Sequence, residues 1–224
     1  TELSYGTFSH NGNLTSVVVN GNITKIPNNF LGQTHGSGAP VESFDIPSTV
    51  NYIGEGAFYG TKITCIDIPQ NCTYIGDLAF GYCKNLTSLT LPPSVNMIGE
   101  EILYFNDLIK EVIIPSTITK IDSSQSCPQI LAGLNLDRLV FNASSITIVG
   151  SSTFYNCKVD ELEIGEGVTI GWSSYYLQFG YLDLKKVILH NGVKLEGAGQ
   201  IFSGNTNLTS IVMPNDLTSI PAST

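Results

Sequence analysis

Along residues 41–121, apolar and variable positions alternate in short bursts, and a proline closes each burst. The hexads "VESFDI", "ITCIDI" and "LTSLTL", starting at Val41, Ile63 and Leu86, share the form apolar-x-x-apolar-x-apolar. Further copies start at Leu14, Ile109, Leu136, Val159, Leu184 and Leu208, and successive starts lie 22 to 27 residues apart. The last four positions of each hexad alternate, which predicts a strand buried on one side. Pro47, Pro69, Pro92, Pro115 and Pro214 follow their hexads at once. Proline lacks the N–H a ladder needs, so each one predicts a strand end and a turn. A shorter apolar pair comes next, as in Val50/Ile53, Val95/Ile98, Ile118/Ile121 and Leu217/Ile220. Two coils then carry "IGxxAF", with Ala57-Phe58 and Ala79-Phe80. Here the small alanine lets coils stack while the ring fills the interior.

One such unit cannot bury its apolar face alone, but stacked copies can. The predicted fold class is therefore a leucine-rich-repeat solenoid, a horseshoe that is predominantly β. It carries one parallel sheet on its concave face and few short helical turns. No segment keeps a 3.6-residue apolar period for three turns. A parallel β-helix has coils of similar length but shows three strand-like runs per coil, where this chain has one strong run and one short one. Residues 1–224 read as a single domain of about nine repeats, with 1–13 as the tail of a preceding coil or an N-terminal cap.

The blocks "LTSLTLPPSVNMIGEE" from Leu86 and "IDIPQNCTYIGDLAFGYCKN" from Ile66 resemble the treponemal-type leucine-rich repeat of BspA-like surface proteins. That family's pattern runs L-x-x-L-x-L-P-x-S-V-x-x-I-G-x-x-A-F-x-x-C. Residues 41–121 follow it closely, 136–157 and 208–220 follow it in part, and 159–207 keep the hexads but lose "IGxxAF". The resemblance implies a secreted or cell-surface protein, often adhesive, that binds host or neighbouring-cell proteins. It brings no catalytic residues and no cofactor.

Composition narrows the partner further. Charged residues are only 13% of the chain, against roughly 25% in an average soluble protein. Ten Lys+Arg against 19 Asp+Glu leave a net charge of −9. A nucleic-acid backbone needs a basic patch, and none is expected here. No apolar run approaches the ~18 residues that span a bilayer. The five cysteines are too few for a disulfide framework. Cys72, Cys83 and Cys157 fall at interior repeat positions, while Cys65 takes the place of Ser43 and Ser88 and should be exposed. No metal site is expected from them.

Position five of the hexad should point off the exposed sheet face. It reads Val18, Asp45, Asp67, Thr90, Ile113, Val140, Glu163, Ile188 and Val212. Ile113, Val140, Ile188 and Val212 would be apolar residues facing solvent, flanked at position three by Glu111, Arg138, Glu161 and Lys186. Such a row marks a partner site, although β-branched residues also simply favour strands. Asp45 and Asp67, near Glu42, could act in acid/base chemistry or hold Ca²⁺. A solvated acidic patch is the simpler reading, because catalysis also needs a cleft. His10, His35 and His190 form no triad or metal spacing, and the six N-x-[ST] sequons include three "NLT" copies that the repeat itself generates.

The segment "GWSSYYLQFGYLD", residues 171–183, gathers Trp172, Tyr175, Tyr176, Phe179 and Tyr181. One or two rings must pack inside the coil, and the surplus suits a protein hot spot or a sugar platform. The expected function is an extracellular or cell-surface binding module. It would recognise a protein, or alternatively a glycan, through the concave sheet or the aromatic segment. A rigid spacer of a larger surface protein is the alternative, and a carbohydrate-active enzyme is a more distant one.

Overall fold

Each proline-marked turn closes on itself. The carbonyl oxygens of Pro47, Pro69, Pro92 and Pro115 accept the N–H of Val50, Cys72, Val95 and Ile118 at 2.9, 2.9, 3.0 and 3.1 Å. The chain thus reverses within three residues, which brings the second apolar run back across the coil. The computed structural model describes residues 3–34, 36–122, 131–142, 145–149, 154, 156–172, 179–196 and 201–217. These form a parallel-sheet β-solenoid with no helix among the described residues. The chain divides into two compact units, Thr1–Ile109 and Lys110–Thr224.

In the first unit the second run of each coil makes the sheet. Strands β1 (Lys25–Ile26), β2 (Tyr52–Ile53), β3 (Tyr74–Ile75) and β4 (Met97–Ile98) pair in parallel in chain order. Their isoleucines Ile26, Ile53 and Ile75 are fully buried. The "IGxxAF" turns bond in the opposite direction along the stack. Gly56, Phe58 and Gly60 donate N–H groups to Asp77, Ala79 and Gly81 of the following coil, each at 2.8 Å. Inside, the Phe58 and Phe80 rings stack at 5.4 Å and 2°. Each buried ring contributes about 1.5–3 kcal/mol. Gly76 is what lets the coils approach: a Cβ there would lie 2.6 Å from the backbone nitrogen of Glu55. The sequence reading gave that role to alanine, and the structure gives it to the glycine as well.

In the second unit both runs make sheets. The strands are β5 (Glu111–Ile114), β6 (Lys120–Asp122), β7 (Asn135–Phe141), β8 (Ser145–Val149), β9 (Lys158–Ile164), β10 (Thr169–Trp172), β11 (Lys186–Leu189), β12 (Lys194–Glu196) and β13 (Ser210–Val212). The hexads form a five-stranded parallel sheet, β13-β11-β9-β7-β5, and the second runs a four-stranded one, β12-β10-β8-β6. Position four of the hexad faces inward: Val112, Leu139, Leu162 and Val187 are buried.

The expectation of a single sheet therefore needs correcting. The hexads from Val41, Ile63 and Leu86 bury Phe44, Ile66 and Leu89 as expected, yet none is a strand. Position seven contributes but does not decide alone, because Pro115 and Pro214 hold it after the strands β5 and β13. In the second unit Asn142, Gly165 and His190 hold that position and donate N–H to Ile114, Phe141 and Ile164 at 3.0, 2.9 and 3.1 Å. In the first unit Pro47, Pro69 and Pro92 have no N–H to give. Thr64 and Thr87 still bond the preceding coil at Glu42 and Thr64, each at 3.1 Å.

Candidate functional site: the exposed face of the five-stranded sheet

Parallel pairing sets position three of successive hexads side by side, so Glu111 meets Arg138, Arg138 meets Glu161, and Glu161 meets Lys186. The charges alternate, and they pair. Arg138 reaches Glu111 at 2.5 Å and Glu161 at 3.5 Å, and Lys186 reaches Glu161 at 2.8 Å. Arg138 also reaches diagonally to Glu163, a position-five residue, whose other oxygen lies 2.8 Å from His190 Nε2. Burial alone would raise the Glu163 carboxyl, but the hydrogen bonds from Arg138 and His190 outweigh it and hold the group below the usual carboxylate range. The face thus carries one paired charge knot centred on Arg138 and Glu163, with three carboxylates against two full cations and His190.

The apolar row is divided by that knot. Position five runs Ile113, Val140, Glu163, Ile188, Val212 across β5, β7, β9, β11 and β13. Ile113 and Val212 are 40% and 46% exposed, and Ile188 is half-buried. Val140 is only 3% exposed, which corrects the expectation that it faces solvent. Arg138 and Val140 share one face of β7, and Arg138 reaches Glu163, the register partner of Val140. That diagonal course from β7 to β9 is the cover we assign to the valine.

Of the aromatic segment, Tyr175 and Tyr176 lie outside the described residues, and Trp172 ends β10 with its backbone paired to Ile148. Phe179 is fully buried, stacked on Phe202 at 6.0 Å. Tyr181 is 71% exposed, and its ring lies against Gly204, where a Cβ would come within 2.5 Å of it. Among the described rings of the segment, one packs inside and one stands out. His35 and Cys127 also lie outside the described residues.

The acidic pair of the first unit stays a solvated patch in its surroundings. Glu42, Asp45 and Asp67 are exposed, and among the described residues no group of His, Cys, Asp or Glu could hold a metal ion. The thiols divide as expected: Cys65 is exposed, and Cys72, Cys83 and Cys157 are buried. What sequence reasoning passed over is aromatic. Tyr52 and Tyr74 stack at 4.6 Å and 6°, and Lys25 Nζ sits 5.7 Å from the Tyr52 ring centre. The signal was present in "NYIG" and "TYIG", which put tyrosine at one register position in two consecutive coils.

Comparison with known proteins agrees with the repeat. The family model described as the BspA type leucine rich repeat region matches in 6 copies, over residues 1–127 and 128–224. Among solved structures, a leucine-rich repeat protein from Bacteroides ovatus is similar at 19% identity and a TM-score of 0.35, over 96% of this chain and 88% of that one. No curated protein matches. Among the described residues no helix is long and apolar enough to cross a membrane.

Proposed function

The chain belongs to the BspA-type leucine-rich-repeat family, often surface-associated, and on that premise we propose that it is an extracellular or cell-surface module that binds a partner protein. The contact surface is the exposed face of the five-stranded sheet or, alternatively, the aromatic segment 171–183, of which Tyr181 is exposed. The observation that carries the reading is the arrangement of that face. Ile113 on one side and Ile188 with Val212 on the other flank a knot of charges that already pair with one another. Paired charges on a rigid sheet add little desolvation cost on contact, while exposed apolar side chains supply burial. Binding of this kind needs no catalytic group and no cofactor.

The test is a binding screen of the purified chain against extracellular-matrix proteins and glycans, with an Ile113→Asp/Ile188→Asp variant beside it. A protein ligand that binds saturably, and at least tenfold more weakly to the variant, is the expected result. Unchanged affinity would discard this face. A rigid spacer would show no saturable ligand at all, and capture by glycans alone would replace the protein partner with a sugar.

A further inference from the structure

The two units handle charge differently. Four cations of the second unit pair with carboxylates, in Arg138–Glu111, Lys158–Asp183, Lys185–Asp160 and Lys186–Glu161. Residues 1–109 carry nine Asp and Glu against three lysines, a balance of −6. Two of those lysines sit on tyrosine rings instead of carboxylates, Lys25 over Tyr52 and Lys84 over Tyr82, each at 5.7 Å. The first unit therefore presents acid that its own cations do not compensate.

The β1–β4 sheet places this acid beside an apolar row. Lys25, Tyr52, Tyr74 and Met97 are register partners on consecutive rungs. The tyrosines are partly exposed and Met97 is 58% exposed. A stacked tyrosine pair is already ordered, so little side-chain entropy remains to be lost on contact. Glu55 and Asp77 follow Tyr52 and Tyr74 by three residues on the same coils and are exposed, and the Tyr74 hydroxyl is pushed above the usual phenol range, first by burial and then by Tyr52, Asp77 and Glu55. Among the described residues neither carboxylate has an ion-pair partner. Asp77 accepts only the N–H of Glu100, at 2.8 Å.

We propose that the β1–β4 face of the first unit docks a lysine- or arginine-bearing segment of a partner protein, laid along Tyr52, Tyr74 and Met97. Long cationic side chains have the matching chemistry. Their alkyl stems cover the rings and the thioether, and their charged heads reach Glu55 and Asp77. Lys25 on Tyr52 is the same contact made within the chain. A bare metal ion would gain nothing from the rings, and the acid is spread along the row with no clustered ligand set. The β1–β4 face belongs to the first unit and the five-stranded sheet to the second, so the two proposals stand or fall independently.

The probe is a fluorescein-labelled octalysine peptide, titrated with the full chain at low salt and read by fluorescence anisotropy. Four proteins are compared: wild type, Glu55→Gln/Asp77→Asn, Met97→Ser, and Asp45→Asn/Asp67→Asn. The last removes the same two charges from another exposed surface of the same unit. Asparagine at 77 keeps the acceptor that Asn28 supplies one coil earlier to Glu55 N–H at 3.1 Å, so the turn is preserved, and a thermal melt checks each variant. The expected result is saturable binding that weakens at least fivefold in Glu55→Gln/Asp77→Asn, at least twofold in Met97→Ser, and less than twofold in Asp45→Asn/Asp67→Asn. Equal weakening in the two charge variants would mean attraction to net charge alone and would overturn the proposal. Absence of saturable binding would overturn it too.

Discussion

Asn142 gives its backbone N–H to the carbonyl oxygen of Ile114 at 3.0 Å, one rung back, at the register position that Pro47, Pro69 and Pro92 occupy in the first unit. That bond extends the pairing of β5 and β7 past the hexad. Asn142→Pro should remove it and leave the Ile114 oxygen without its donor, costing about 1–3 kcal/mol. Pro92→Ala, where no such bond exists to lose, should change stability by less than about 1 kcal/mol. Urea midpoints of the two variants check this. Equal losses would show that the position-seven N–H does not distinguish the hexads of the two units.

The same comparison shows what could be read from sequence. Hexad register was legible because the apolar spacing recurs at every start, and the inward residues Phe44, Ile66, Val112, Leu139 and Val187 all fall where it puts them. Strand formation was not legible from that pattern, since burial alternates equally well in hexads that do and do not complete a ladder. An N–H one place beyond the hexad adds to the ladder at Asn142, Gly165 and His190, but β5 and β13 form ahead of Pro115 and Pro214. Exposure at position five was half legible. It held for Ile113 and Val212 and failed for Val140, because the cover over Val140 comes from a side chain on the same strand reaching to the next rung. A one-dimensional pattern says which face a residue takes and nothing about what lies across it. Tyr52 and Tyr74 were visible as "NYIG" and "TYIG", but their stacking depends on rung spacing, which only the fold supplies.

Burial of Val140 separates it sharply from Ile113, its register partner. An aspartate at 140 would be a buried charge beside Glu163 that competes with it for Arg138, with a cost of about 3 kcal/mol or more. An aspartate at 113, on a residue 40% exposed, should cost less than about 1 kcal/mol. Chemical denaturation of Val140→Asp and Ile113→Asp tests the difference. Comparable destabilisation would mean that Arg138 does not shield the valine.

Acid should weaken the charge knot through Glu163. Its carboxyl is depressed in the folded chain because Arg138 and His190 outweigh the opposing effect of burial. A depressed acid stabilises the fold above its unfolded value of about 4.3, and that contribution disappears as pH falls through the lower folded value. Glu163→Gln should therefore be less stable than wild type at pH 7, with the gap closing below about pH 4. Urea unfolding at steps between pH 3 and 7 measures the gap. A gap that stays constant over this range would show that ionisation of Glu163 does not contribute.

The thiols offer an independent check on register. Burial pushes Cys83 and Cys157 up to about 12 and raises Cys72. Cys83 Sγ also donates to the Phe58 carbonyl oxygen at 3.0 Å, inside the stacked coils. Raised pKa and burial act in the same direction, because reagents attack only the thiolate and only where they can reach it. Cys65 stands on the exposed side of its hexad, between Ser43 and Ser88 in the repeat, where a reagent reaches it. In a Cys127→Ser background, native protein at pH 8 should release one equivalent from an aromatic disulfide reagent, rising to four in urea. Adding Cys65→Ser should abolish the native reaction and leave three equivalents in urea. Native labelling that survives Cys65→Ser would mean that one of the interior columns faces solvent, and the coil register built on "IGxxAF" would have to shift with it.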